Sequence, residues 1–105
     1  MAAARSTRVT LLPGQFELIA KALADPRRFA LLEAIVVRQE CPCQRLTRDF
    51  PISKATISHH VRELALAGLV APQRQGRFVR YRVRSAVLRA YVDALRRRLT
   101  PSCRS

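Results

Sequence analysis

The segment Ser53-Lys54-Ala55-Thr56-Ile57-Ser58-His59-His60-Val61-Arg62-Glu63-Leu64 reads as a helix with two unlike faces. Ser53 is a preferred N-cap residue, and Gly68 supplies the glycine with which many helices close, so the helix is expected from Lys54 to about Ala67. At about 100° of rotation per residue, Ile57, Val61 and Leu64 fall within roughly 60° of one another and point into a core. Ala55, Ser58, His59 and Arg62 lie opposite, with Thr56 and Glu63 on the flank, and His60 falls at the core edge. Small, hydrogen-bonding and cationic side chains on an exposed face suit a helix that enters the major groove and reaches base edges. Lys54 and Thr56, near its start, are placed for phosphates or bases. Read alone, such a face is equally a solvated one; the neighbouring elements decide.

Working back along the chain, Cys41-Pro42-Cys43 opens a short preceding helix, with Pro42 at its first position, Cys41 just outside it, and Leu46 and Phe50 on its buried side. Pro51 ends it, and two short helices joined by about three residues make a helix-turn-helix. Asp25-Pro26 starts an earlier helix running to about Arg38, with Phe29, Leu32, Ile35 and Val36 as its buried stripe. Before that, Phe16, Ile19, Ala20 and Leu23 recur at helical spacing in a first helix ending near Ala24. Working forward, Leu69-Val70-Ala71 and Phe78-Val79-Arg80-Tyr81-Arg82-Val83 flank the turn Arg74-Gln75-Gly76-Arg77 and predict a β-hairpin. Its second strand puts Val79, Tyr81 and Val83 on one face and Phe78, Arg80 and Arg82 on the other, wet one. Ser85 is expected to cap a last helix whose Leu88, Val92, Leu95 and Leu99, with Tyr91 alongside, form a seam for a partner helix. The expected architecture is mainly α, about five helices and two strands, in one domain over residues 1–105 with a core at about 12–99 and frayed ends at 1–10 and 100–105.

The charge agrees with a polyanion partner. The 105 residues carry 20 Lys plus Arg against 7 Asp plus Glu, a net +13, and 18 of the 20 cations are Arg, the side chain suited to bidentate phosphate and guanine contacts. Residues 1–50 hold 8 basic and 5 acidic side chains and residues 51–105 hold 12 and 2, so +10 sits in the half with the helix and hairpin. At 49% hydrophobic residues the chain is expected to fold rather than persist as a basic tail. No run approaches the roughly 18 apolar residues of a membrane span, and no signal-peptide core opens the chain, so a cytoplasmic protein with no membrane partner is expected. Three Cys, an odd number, argue against a disulfide framework.

The order of these elements, with Ala22-Leu23-Ala24-Asp25-Pro26-Arg27-Arg28, Ser53-Lys54-Ala55-Thr56-Ile57-Ser58-His59-His60, Ala67-Gly68-Leu69-Val70 and Gln75-Gly76-Arg77-Phe78-Val79-Arg80-Tyr81, resembles the ArsR/SmtB family of winged helix-turn-helix repressors over roughly residues 16–99. The resemblance implies a homodimer paired through its first and last helices, sitting on a palindromic double-stranded operator that it releases when an effector binds. It implies DNA contacts from the recognition helix at Ser53, Lys54, Thr56, Ser58, His59 and Arg62, and from the wing at Arg74, Arg77 and Arg80. Arsenic-sensing members carry Cys-x-Cys at the start of the third helix, which Cys41-Pro42-Cys43 resembles; the further Cys they often place three residues on is Leu46 here. The zinc-type site on the last helix needs His and carboxylates, and residues 85–99 offer only Asp93, which disfavours zinc there.

Two Cys at i and i+2 inside a regular helix diverge by about 200°, so they chelate only where the helix has not yet formed, a condition Pro42 creates. The helix dipole and Arg45 are expected to lower the thiol pKa. Thiolates select soft ions, and trivalent arsenic or antimony takes three sulfurs, so Cys41, Cys43 and Cys103 form the expected inducer site for As(III) or Sb(III), with no permanently bound cofactor. Cys103 reaches its own pair or that of the other subunit, and ligation there alters the spacing of the two recognition helices. Two alternatives stand beside it: a disulfide or persulfide switch with Cys103, and a repressor whose Cys41 and Cys43 are simply buried hydrophobes. A non-regulatory nucleic-acid binder also suits an Arg-rich surface. An enzyme does not, because Cys-x-Cys lacks the Cys-x-x-Cys spacing of thiol oxidoreductases and no catalytic set appears.

Overall fold

The computed structural model describes residues 9–38 and 40–101. The elements run α1 (Gln15–Leu23), α2 (Pro26–Arg38), β1 (Glu40–Pro42), α3 (Cys43–Asp49), α4 (Lys54–Leu66), β2 (Val70–Gln75), β3 (Phe78–Val83) and α5 (Ser85–Leu99). This is the expected winged helix-turn-helix with one strand more than expected. The sheet is antiparallel in the order β1-β3-β2, so the second hairpin strand is its central strand.

The helix boundaries follow local chemistry. Asp25 accepts hydrogen bonds from the backbone N–H of Arg27 (2.9 Å) and Arg28 (3.1 Å), and that from Arg28 does most to hold its carboxyl below the usual range. Ser53 accepts from the Thr56 N–H at 3.1 Å and donates its own hydroxyl to Thr56 Oγ1 at 2.9 Å. Gly68 ends α4 at φ +85°, where the side chain of any other residue would meet the Gln15 amide nitrogen at 2.5 Å; that nitrogen donates to the Ala67 carbonyl at 2.9 Å. Gly76, at φ +62°, turns the hairpin.

Several local expectations are corrected. Pro42 is the N-cap of α3, extended at ψ 143°, and Cys43 is its first residue. Cys41 lies in the third strand, paired with Tyr81. A residue before proline is driven to extended backbone, and three such residues are too few to show a period. The hairpin strands run to Gln75 and from Phe78, leaving a two-residue turn. Ser85 does not cap α5: Arg84 holds the cap position and makes no side-chain cap bond. On α2, Leu31, Leu32 and Ile35 are buried while Phe29 and Val36 are 44% and 42% exposed, and on α1 Ala22 is buried where Ala20 is not. The α2 stripe is rotated because α2 is covered by α4 on one side and by β1 and β3 on another, and that of α1 because α1 packs on α2, α4 and α5. Val9 and Leu11 pack against the core, so ordered packing begins ahead of residue 12.

The core joins Ile19 of α1, Leu31 and Ile35 of α2, Cys41, Leu46, and Ile57, Val61 and Leu64 of α4, all at most 3% exposed. The inward face of α4 is as expected. Phe16 of α1 holds α5, stacking on Tyr91 at 5.1 Å between ring centroids and carrying the Arg98 guanidinium 4.2 Å above its ring. Among the described residues no helix is long and apolar enough to cross a membrane.

His60 is the buried polar side chain of this core, 6% exposed, and its Nδ1 accepts from Arg28 Nε at 3.3 Å. Burial holds the imidazole below its ordinary 6.5; Asp25 opposes this and Arg28 adds to it. The unfolded chain therefore takes up this proton at higher pH than the folded one, and the stability His60 contributes is present above pH 6.5 and lost as pH falls below it. The urea midpoint is expected to drop between pH 7.5 and pH 5.5, and the drop to shrink in His60→Gln. An equal drop in both proteins contradicts the assignment.

Candidate nucleic-acid interface and thiol pair

On the outer face of α4, Lys54, Ala55, His59 and Arg62 are exposed and Thr56 and Ser58 half-buried; Ser53 is exposed at the cap. Ser53 and Thr56 are bonded to each other, which fixes the start of the helix. The His59 and His60 rings lie 5.7 Å apart at 54°, with His60 turned inward to Arg28. Only His59 is presented on the outer face.

The wing separates its arginines. Arg74 is in register with Val79, and Pro72 with Tyr81, so Arg74 lies on the face turned to α4. There Arg74, Arg62, Ser58 and Tyr81 share the lining of a cleft of about 270 Å³ between α4 and the sheet. Arg80, in register with Gln73, lies on the opposite face with Arg82, and Arg77 stands at the exposed tip. The three wing arginines therefore occupy an inner face, a tip and an outer face. Position along the strand shows this alternation for Arg80, but the inward turn of Arg74 needs the register.

The thiol pair is tied to this sheet. Cys41 is fully buried in β1, its Sγ donating weakly to the Pro42 carbonyl at 3.6 Å. Burial pushes its thiol pKa up, against the pull of Arg38 and Arg45. The expectation of a lowered pKa is thus overturned at Cys41, because desolvation outweighs two arginines that are themselves engaged with Asp49, at 3.5 Å and 3.3 Å. Cys43 is half-buried. Burial first, and the neighbouring Cys43 side chain next, push the Tyr81 phenol up to about 12. Tyr81 and the Asp49 bridge were not singled out from the sequence; the one available signal was Cys41 preceding a proline. Cys103 lies outside the described residues. Among the described residues no three His, Cys, Asp or Glu side chains come together as a metal site.

The two thiols differ in access, and burial raises the pKa of Cys41, so iodoacetamide is expected to alkylate Cys43 of the reduced native protein well before Cys41, with Cys41 reacting freely only in denaturant. Peptide mass spectrometry reads the order, and equal rates in the native protein contradict the burial of Cys41.

Residues 23–73 match the helix-turn-helix domain family. The chain is 31% identical over 73 residues to the transcriptional repressor SdpR of Bacillus subtilis strain 168, spanning 70% of this chain and 80% of that protein. It is 32% identical over 93 residues to the arsenic resistance transcriptional regulator ArsR1 of Pseudomonas putida strain KT2440, spanning 80% of this chain and 71% of that one. Among solved structures, an ArsR-like transcriptional regulator from Rhodococcus sp. RHA1 superposes with a TM-score of 0.72 at 28% identity, covering 80% of this chain and 78% of that one. With the five helices, the wing and the helix-turn-helix in place, these matches show that the chain belongs to the ArsR family of winged helix-turn-helix transcriptional repressors.

Proposed function

We propose that this repressor reads a palindromic operator as a homodimer and releases it when a soft metalloid, As(III) or Sb(III), engages Cys41, Cys43 and Cys103. The observation that carries the reading is the Cys-x-Cys pair at the entry of α3, Cys41 on a strand of the wing's own sheet and Cys43 the first residue of the helix. The similarity to an arsenic resistance regulator supports the choice of ion. Lys54, Thr56, Ser58, His59 and Arg62 approach bases and phosphates from α4, with Ser53 at its cap. Arg74 and Arg77 approach the backbone from the wing, and Arg80 from its outer face. The dimer is supported by apolar surface: on α5, Val92 and Leu99 are 41% and 74% exposed, and near α1, Leu12 and Leu18 are 70% and 47% exposed. The chain acts as a regulator rather than an enzyme, and the inducer is a ligand, not a resident cofactor.

The cysteines bind as thiolates, so their protons leave as the ion enters. Release requires the inducer to bind the DNA-incompetent state more tightly, since equal affinity for both states shifts nothing. A thiol redox switch remains the second reading, favoured by the half-buried, reachable sulfur of Cys43.

Arg62→Ala is expected to weaken binding to a palindromic duplex selected by the protein from a random library by about tenfold or more. Arg77→Ala is expected to lower affinity and flatten the salt dependence by about one ion. Fluorescence anisotropy across salt reads both, and unchanged values place these residues off the DNA. Cys41→Ser, Cys43→Ser and Cys103→Ser are each expected to keep duplex binding and lose release by antimonite or arsenite. Normal release by all three overturns the thiol site, and release of the reduced wild type by peroxide but not by either metalloid selects the redox reading.

A further inference from the structure

Two side-chain hydrogen bonds from other helices hold α4 from behind. In its middle, Arg28 Nε of α2 donates to His60 Nδ1 at 3.3 Å, and at its end the Gln15 amide nitrogen of α1 donates to the Ala67 carbonyl at 2.9 Å, across 52 residues of sequence. The core-facing side chains Ile57, Val61 and Leu64 are apolar, and burial of apolar surface has no preferred direction. The two hydrogen bonds add the direction that burial alone does not supply.

The Gln15 bond is not needed to end the helix. The Leu69 N–H donates to the Leu64 carbonyl at 3.0 Å and the Gly68 N–H to the Ala65 carbonyl at 2.9 Å, with Gly68 at φ +85°, so α4 closes on its own backbone around a left-handed glycine. The Gln15 amide is an addition to a finished helix end. On its other side it is anchored in the start of α1. Leu12-Pro13-Gly14-Gln15 make a turn with Gly14 at φ +80°, closed by the Gln15 N–H on the Leu12 carbonyl at 2.9 Å, and the Leu12 N–H donates to Gln15 Oε1 at 2.8 Å. The side-chain amide is thus held at both ends, its oxygen in the turn and its nitrogen on α4.

The next residue, Phe16, holds α5 through Tyr91 and Arg98. Adjacent residues of α1 therefore carry α4 and α5, and the same segment presents Leu12 and Leu18, 70% and 47% exposed, at the surface proposed for the second subunit.

We propose that Gln15 is a positioning residue that sets the half-site spacing this repressor accepts: by pinning the end of α4 to the helix that faces the second subunit, it fixes the distance and angle between the two α4 helices of the dimer. This rests on the dimeric operator reading above and not on the thiols. A change of one base pair between half-sites moves one by about 3.4 Å and turns it by about 35° relative to the other. A bond of fixed geometry resists that displacement, and an apolar seat alone gives way to it.

The test uses the reduced full-length protein with two variants. Gln15→Met keeps the length and removes both polar ends; Gln15→Glu, ionised at neutral pH, keeps the acceptor for the Leu12 N–H and removes the donor to Ala67. Anisotropy measures affinity for the selected palindrome, for the same palindrome with its half-sites one base pair closer or farther, and for one isolated half-site. Wild type is expected to prefer the selected spacing by about 30-fold or more. Both variants are expected to prefer it by no more than about threefold, and to bind the isolated half-site within about threefold of wild type. Retention of the wild-type preference in either variant overturns the role of Gln15. So does a loss on the isolated half-site as large as that on the palindrome, which is what plain damage to α4 produces. Wild type with equal affinity at all three spacings removes the dimeric operator reading itself, and the spacing role falls with it.

Discussion

The pairing of Cys41 with Tyr81 joins the two functional halves of the molecule. It makes the entry of the helix-turn-helix an edge strand of the wing sheet, so α3 is joined directly to β3. Pro42 is the local cause. It blocks helical backbone at Cys41 and starts α3 at Cys43, which sets one sulfur in the core and the next at the surface. The wing, in turn, packs on α4 through β2, and Tyr81 and Val79 of β3 line the cleft between them. A repressor whose inducer acts on cysteines needs such a connection, because the side chains proposed to read DNA lie on other elements.

The reading surface depends on a second constraint. Ile57, Val61 and Leu64 bury one side of α4, and this leaves Arg62, His59 and Ser58 no direction but outward. His60, one residue from His59, is captured by Arg28 in the core and fixes the rotation of the helix. The positive charge of the second half of the chain is divided among the face of α4, the wing and α5, whose last turn alone carries Arg96, Arg97 and Arg98.

The order of helices and hairpin, the caps at Asp25 and Ser53, and the inward face of α4 were legible because each rests on chemistry within a few residues. The rotated stripes of α1 and α2 were not, since which apolar face is covered depends on what packs against it: Phe29 and Val36 fit a helical period as well as Leu31 does. The strand at Glu40–Pro42 was too short to show alternation. The thiol pair was legible as a motif, but its chemistry was not. Arg45 beside a helix start predicts a lowered pKa, and only the complete burial of Cys41 reverses the sign. Tyr81 was visible as a core-side strand residue, whereas its pairing with Cys41 arises between elements distant in sequence.

The central claim is sequence-specific repression by the α4 and wing surface, and competition between the selected palindrome and a scrambled duplex of equal length, at near-physiological salt, tests it most directly. The account predicts a preference of about a thousandfold or more for the palindrome. Equal affinity for the two duplexes contradicts it and returns the Arg-rich surface to a non-specific nucleic-acid binder.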